Sequence, residues 1–189
     1  MGISAEMQDA ILIRGEVEVI KHEAATCTCT AERMGEHCVE TFRQKIRNVF
    51  TSAGKAAIAR RLVADETTAM SATGATASRA GIANVIAVGT GAGTPAVSDV
   101  AMFTETLRLT VSAPPTGSSF SGNVATIKVF FNSSQANVAM TEAGLFGDIT
   151  AADAPGSVAS PGTMYAHTGL SVTKSSGETM TILWTITVG

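Results

Sequence analysis

The sequence predicts a mainly β protein: an antiparallel, jelly-roll-like β-sandwich preceded by an N-terminal strand or arm and an α-helical segment. Three observations predict it. Apolar and polar residues alternate with period two in several runs after residue 85, most clearly where Met180, Ile182, Trp184, Ile186 and Val188 oppose Thr179, Thr181, Leu183, Thr185 and Thr187. Turn clusters (APPTGSS, FNSSQAN, DAPGSVASPGT and KSSGE) separate the runs. Helical spacing is confined to one stretch before residue 66. Short strands, polar turns and few helices together are the pattern of a sandwich.

In chain order, Ile11–Ile20 alternates as Ile11/Ile13 and then Val17/Val19 with Gly15 between, which predicts a kinked strand or two short ones. Residues 26–38 are polar and cysteine-bearing, hence a loop. From about Glu36 a helix is predicted, because Val39, Phe42, Ile46, Val49 and Ala53 follow steps of three and four while Arg43, Lys45, Arg47 and Asn48 fall off that face. Gly54 interrupts the pattern, and the Ala-rich run 55–64 resumes it, so a kinked helix or two helices is expected. Ala69–Ala80 lacks bulky residues and reads as a loop. Strands then follow at Val85–Val88, at Leu107/Leu109/Val111 and at Ala125/Ile127/Val129/Phe131, with the loop GTGAGTPA after the first of them. The expected core comprises Val85, Leu107, Leu109, Ile127, Val129, Ile182, Trp184 and Ile186, with Trp184 as its largest anchor.

Composition narrows the function classes. The chain has 189 residues, 45% apolar and 15% charged, with a net charge of −3. That charge fraction lies below the roughly 25% of an average soluble domain. Its apolar content excludes a disordered chain, and no run of 18 apolar residues offers a membrane helix. The start has acids where a leader peptide needs a basic flank, and Glu6 stands where a myristoylation motif wants Ser or Thr. A weakly acidic cytosolic product with no general attraction to nucleic acid or membrane is expected.

Charge divides the chain more sharply than any linker. Residues 1–66 hold 19 of the 29 acidic and basic side chains, and the remaining 123 residues hold ten. The expected organisation is therefore an N-terminal arm and helix over 1–66 and a β-sandwich domain over 67–189. An exterior of Thr, Ser, Ala and Gly suits either packing on neighbouring subunits or a neutral hydrated domain. Arg43, Lys45 and Arg47 are the attachment candidates of the charged part.

Motifs that carry chemistry are few. Gly89-Thr90-Gly91-Ala92-Gly93 follows an apolar strand but ends in Thr94-Pro95 rather than Gly-Lys-Ser/Thr and opens no long helix, so a β-connection is expected instead of a nucleotide loop. Cys27, Cys29, His37 and Cys38 lie within twelve residues. The single residue between Cys27 and Cys29 and the adjacency of His37 and Cys38 fit a zinc site poorly. Cys27, Cys29 and Cys38 are the disulfide candidates, within or between chains, and free thiols are the other reading. His22, His37 and His167 sit in unrelated contexts, and Asp99, Glu105, Glu142, Asp148, Asp153 and Glu178 are scattered singly. No catalytic constellation is recognisable, and neither an enzyme, a cofactor nor a small-molecule ligand is expected.

From about Arg43 onward the chain resembles a family of tailed-bacteriophage virion proteins of tail-fibre, collar or head-decoration type. The motifs that carry the resemblance are, in order, SAGKAAIARRL (52–62), IANVIAVGTGAGTPAVSD (82–99), MTEAGLFGD (140–148) and GLSVTKSSGETMTILWTITV (169–188). The resemblance covers about three-quarters of the chain; residues 1–42 depart from the family. The resemblance implies a structural β-sandwich of the virion, assembled in the host cytoplasm, with further copies of itself, as a trimer, and other virion proteins as partners. An alternative is a receptor- or glycan-binding module at a fibre tip, for which Tyr165 and His167 are the candidate contact pair.

Overall fold

The computed structural model describes residues 12–25, 38–63, 83–111, 117–147 and 162–189. Among them, two antiparallel five-stranded sheets pack face to face as a β-sandwich. The first sheet joins β2 (Glu40–Arg47), β1 (Ile13–Glu23), β10 (Glu178–Val188), β7 (Val124–Phe131) and β6 (Ser118–Ser121), in that order. The second joins β3 (Val49–Phe50), β9 (Thr163–Thr173), β8 (Ala139–Gly147), β4 (Ala83–Gly89) and β5 (Glu105–Thr110). One helix, α1 (Ser52–Val63), follows β3 and packs on β9.

Alternation decides the core. Val17 and Val19 of β1, Ile127, Val129 and Phe131 of β7, and Met180, Ile182, Trp184 and Ile186 of β10 point inward from the first sheet. They meet Ile86, Val88, Leu109, Ala143, Leu145, Tyr165, Leu170 and Val172 of the second. Trp184 is fully buried and removes on the order of 200 Å² of aromatic surface from water. Leu107 is only partly buried. Val85 belongs to the opposite face of the second sheet, where it forms a small cluster with Ala87, Phe146, Met164 and the flanking Met102. That sheet is therefore covered on both faces.

Three expectations are corrected. Residues 40–47 form a strand, not a helix. Phe42, Gln44 and Ile46 turn toward the protein while Arg43, Lys45 and Arg47 stay exposed, so the helical spacing of the apolar residues concealed a period of two. Pairing with β1 decides the outcome, since it sets Arg43 and Lys45 beside Glu18 and Glu16. The helix begins only at Ser52, where the Thr51 hydroxyl accepts from the Gly54 N–H at 2.9 Å, an N-cap contact. Second, β1 runs unbroken through Gly15. A Cβ there would lie 1.9 Å from Asn48 Oδ1, so Gly15 makes room for that side chain as the chain crosses from β2 to β3. Third, β1 and β2 are not an appended arm. β1 pairs with β10 along all of its eleven residues, so a boundary at 66/67 cuts through the first sheet.

Candidate functional site

Residues 90–104, between β4 and β5, fold back over the outer face of the second sheet. Beneath them three ionisable side chains meet that are far apart in sequence. His167 of β9 is fully buried, with Nδ1 2.7 Å from Asp99 Oδ2 and Nε2 2.9 Å from Glu142 Oε2. Glu142 of β8, 1% exposed, also accepts backbone N–H groups from Gly91 (3.0 Å), Phe103 (2.9 Å) and Thr104 (2.7 Å). Asp99 Oδ2 accepts in turn from the Ala96 N–H at 2.8 Å. One carboxylate thus holds both ends of the loop, and the other holds its middle.

The glycine run makes this approach possible. A Cβ on Gly89 would lie 2.6 Å from Glu142 Oε1 and 2.3 Å from the Thr104 carbonyl oxygen, and one on Gly91 would lie 2.5 Å from the same Oε1. On Gly93 it would strike the Phe103 ring at 2.4 Å. The spacing that superficially suggests a phosphate loop is therefore a row of backbone positions cleared for a carboxylate and an aromatic ring. Phe103 lies over His167 with ring centroids 5.0 Å apart, and the Thr141 hydroxyl donates to the Gly91 carbonyl at 2.6 Å.

Chemically, the arrangement fastens the loop. Each ring nitrogen of His167 sits against a carboxylate, and which of them donates depends on the tautomer. No ring nitrogen is left over to take a proton from another molecule. Because Asp99 and Glu142 occupy opposite nitrogens, the three groups do not converge on a common point. Among the described residues, no group of three or more His, Cys, Asp and Glu side chains is arranged to hold a metal ion. Among the exposed side chains of the loop are three large apolar ones, Val97, Val100 and Phe103, at 52%, 68% and 42% exposure, beside exposed Thr90, Thr94, Ser98 and Thr104.

A second polar cluster lies at the far end of β1. Lys21 Nζ donates to the Thr173 carbonyl and to Glu178 Oε1, both at 2.7 Å. Burial works against the Glu178 carboxylate, but hydrogen bonds from Lys21 and Ser175 outweigh it and hold its carboxyl below the usual range. The buried Lys174 ammonium donates to Asn137 Oδ1 at 2.7 Å, and burial lowers its pKa.

The residues expected to matter fall as follows. Arg43 and Lys45 are engaged within the chain: Arg43 with Glu18 and Glu40, Lys45 with Glu16 at 3.5 Å. Arg47 is exposed. The core anchors Trp184, Ile182, Ile186, Ile127 and Val129 are buried. Cys38, the one cysteine within the described residues, is not a free thiol. No bridge joins two described cysteines, and Cys27, Cys29 and His37 lie outside the described residues. Tyr165, 3% exposed, and His167 are buried, so neither is the surface contact that a glycan-binding reading would use. The Asp99–His167–Glu142 cluster leaves no pattern in the sequence because its members are separated by 68 and 25 residues. The one local signal is three glycines at alternate positions followed by a lone Asp. Comparison with known proteins finds no matching family model, curated protein or solved structure.

Proposed function

We propose that this protein is a non-enzymatic structural component of a tailed-phage virion, an oligomeric β-sandwich attached to the particle at head, neck or tail. The observation that carries the reading is the fastened loop. Its buried ionisable groups are spent on anchoring backbone, and the platform so made displays Val97, Val100 and Phe103 outward. A fixed loop with apolar side chains on its exterior suits contact with a neighbouring subunit. The low charge of residues 67–189 points the same way, as does the ordered motif series that resembles virion proteins. Self-association, most simply as a trimer, would bury more than about 1,000 Å² per interface.

Two measurements test the reading. Light scattering of the full chain should give an oligomer, and Val100→Asp with Phe103→Asp should shift it to monomer. Immunogold labelling of intact particles should place the chain on the virion. A monomeric full chain and unlabelled particles would overturn the proposal.

A further inference from the structure

A groove of about 780 Å³ opens where the start of β1 meets the β2–β3 crossing and the first turn of α1. Three cations line it: Arg14, Arg47 and Lys55. All three are exposed, and none has a carboxylate within ion-pair distance among the described residues. This is unusual in a chain whose net charge is −3. Glu16 is the one carboxylate on the groove wall, and it already faces Lys45. At the groove lies also Asn48, whose Oδ1 and Nδ2 are both buried without a hydrogen-bond partner. Leu12 and Val97, 49% and 52% exposed, give the groove aliphatic shoulders.

We infer that this groove binds an acidic peptide segment of a different protein. The unpaired cations call for carboxylates. Leu12 and Val97 offer contact to an apolar side chain between the acids. Among the described residues, a second copy of this chain offers no unengaged side-chain carboxylate. Every carboxylate among the described residues already has a partner: Glu16, Glu18, Glu40, Glu105 and Glu178 a lysine or arginine, Asp99 and Glu142 the His167 ring, and Glu23 a contact of its own. A nucleic acid fits less well, because the cations are interrupted by Glu16 and the shoulders offer no exposed ring for a base to stack on. The cationic contact expected of Arg43, Lys45 and Arg47 thereby moves: Arg47 joins Arg14 and Lys55, while the other two serve the sheet. The inference rests on the proposed function only in taking the partner to be another protein of the particle.

The test uses the purified full chain and a short synthetic peptide alternating Glu or Asp with Leu, labelled for fluorescence anisotropy. Binding should weaken with added salt. The triple variant Arg14→Glu, Arg47→Glu, Lys55→Glu should bind about tenfold more weakly, as expected from removing three exposed ion pairs of about 0.5 kcal/mol each. Lys128→Glu, a charge reversal outside the groove, should bind as the parent does. Circular dichroism of the triple variant should be unchanged, since its exposed side chains hold nothing in the fold. An unaffected triple variant, no binding at all, equal competition by inorganic phosphate, or tighter binding of a single-stranded oligonucleotide would each overturn the assignment. Particle labelling reads the proposed function separately, so either can fail alone.

Discussion

Replacing Glu142 by Ala is the most informative single perturbation of the fold. It removes the acceptor of three backbone N–H groups, at 3.0, 2.9 and 2.7 Å, and of His167 Nε2 at 2.9 Å. Each buried donor left unsatisfied costs about 1–3 kcal/mol, so four would cost about 4–12 kcal/mol if nothing relaxed. Residues 90–104 lie at the surface and can admit water to the vacated space, which favours the low end. The low end is about 4 kcal/mol. For a chain of this size that lowers Tm by about 8–16 °C. Glu142→Gln keeps one oxygen but turns an NH₂ toward a donor, and should cost roughly half as much. Urea unfolding followed by the fluorescence of Trp184, the single tryptophan, measures both. Hydrogen exchange should show lost protection at Gly91, Phe103 and Thr104. A loss below about 1 kcal/mol with those amides still protected would refute the reasoning and give the loop's docking to Met102 and Phe103 instead.

Further outcomes follow from the same contacts. Trp184→Ala should cost about 3–5 kcal/mol in the same urea assay, whereas a parent spectrum typical of a water-exposed indole would contradict its burial. Gly91→Ala places a Cβ 2.3 Å from Phe103 Cβ and 2.5 Å from Glu142 Oε1, and should destabilise by about 1–3 kcal/mol on thermal unfolding. Because the Glu178 carboxyl is held below its ordinary value of 4.5 in the folded chain, its stabilisation is fully present above pH 4.5 and is lost as pH falls through the lowered folded value. Glu178→Gln should therefore flatten the stability profile below pH 4.5 and cost about 1 kcal/mol at pH 7. A fragment of residues 68–189 lacks β1 and β2 and exposes the edge of β10 along eleven pairs. It should fail to give a cooperative unfolding transition, and a folded fragment would restore the separate-arm view.

What the sequence revealed depended on how local the deciding contact was. β7 and β10 were legible because apolar alternation with Thr and Ser is written along each strand. β2 was not, because Gln44 takes an inward position and breaks the apolar alternation, while Val39, Phe42, Ile46 and Val49 also fit a helix. Only the cross-strand carboxylates of β1 distinguish the two, and they lie about 25 residues earlier. Gly15 read as a kink because nothing local shows that Asn48 needs its space. The Asp99–His167–Glu142 cluster is more remote still. It exists because β8 and β9 are neighbours in register, with Gly144 opposite His167, and because residues 90–104 return across them. Each of its members looks isolated when taken alone.

The proposed function makes the chain a building block of a phage particle, held there by its own copies and by an acidic partner. A reconstruction of virions from cells that make the protein tests this most directly. The proposal predicts symmetric copies of the two-sheet sandwich on the particle, with Val100 and Phe103 against a neighbouring copy and the groove of Arg14, Arg47 and Lys55, with its Val97 shoulder, against a different protein. Particles whose density contains no such sandwich, although the infected cell makes the protein, would contradict it.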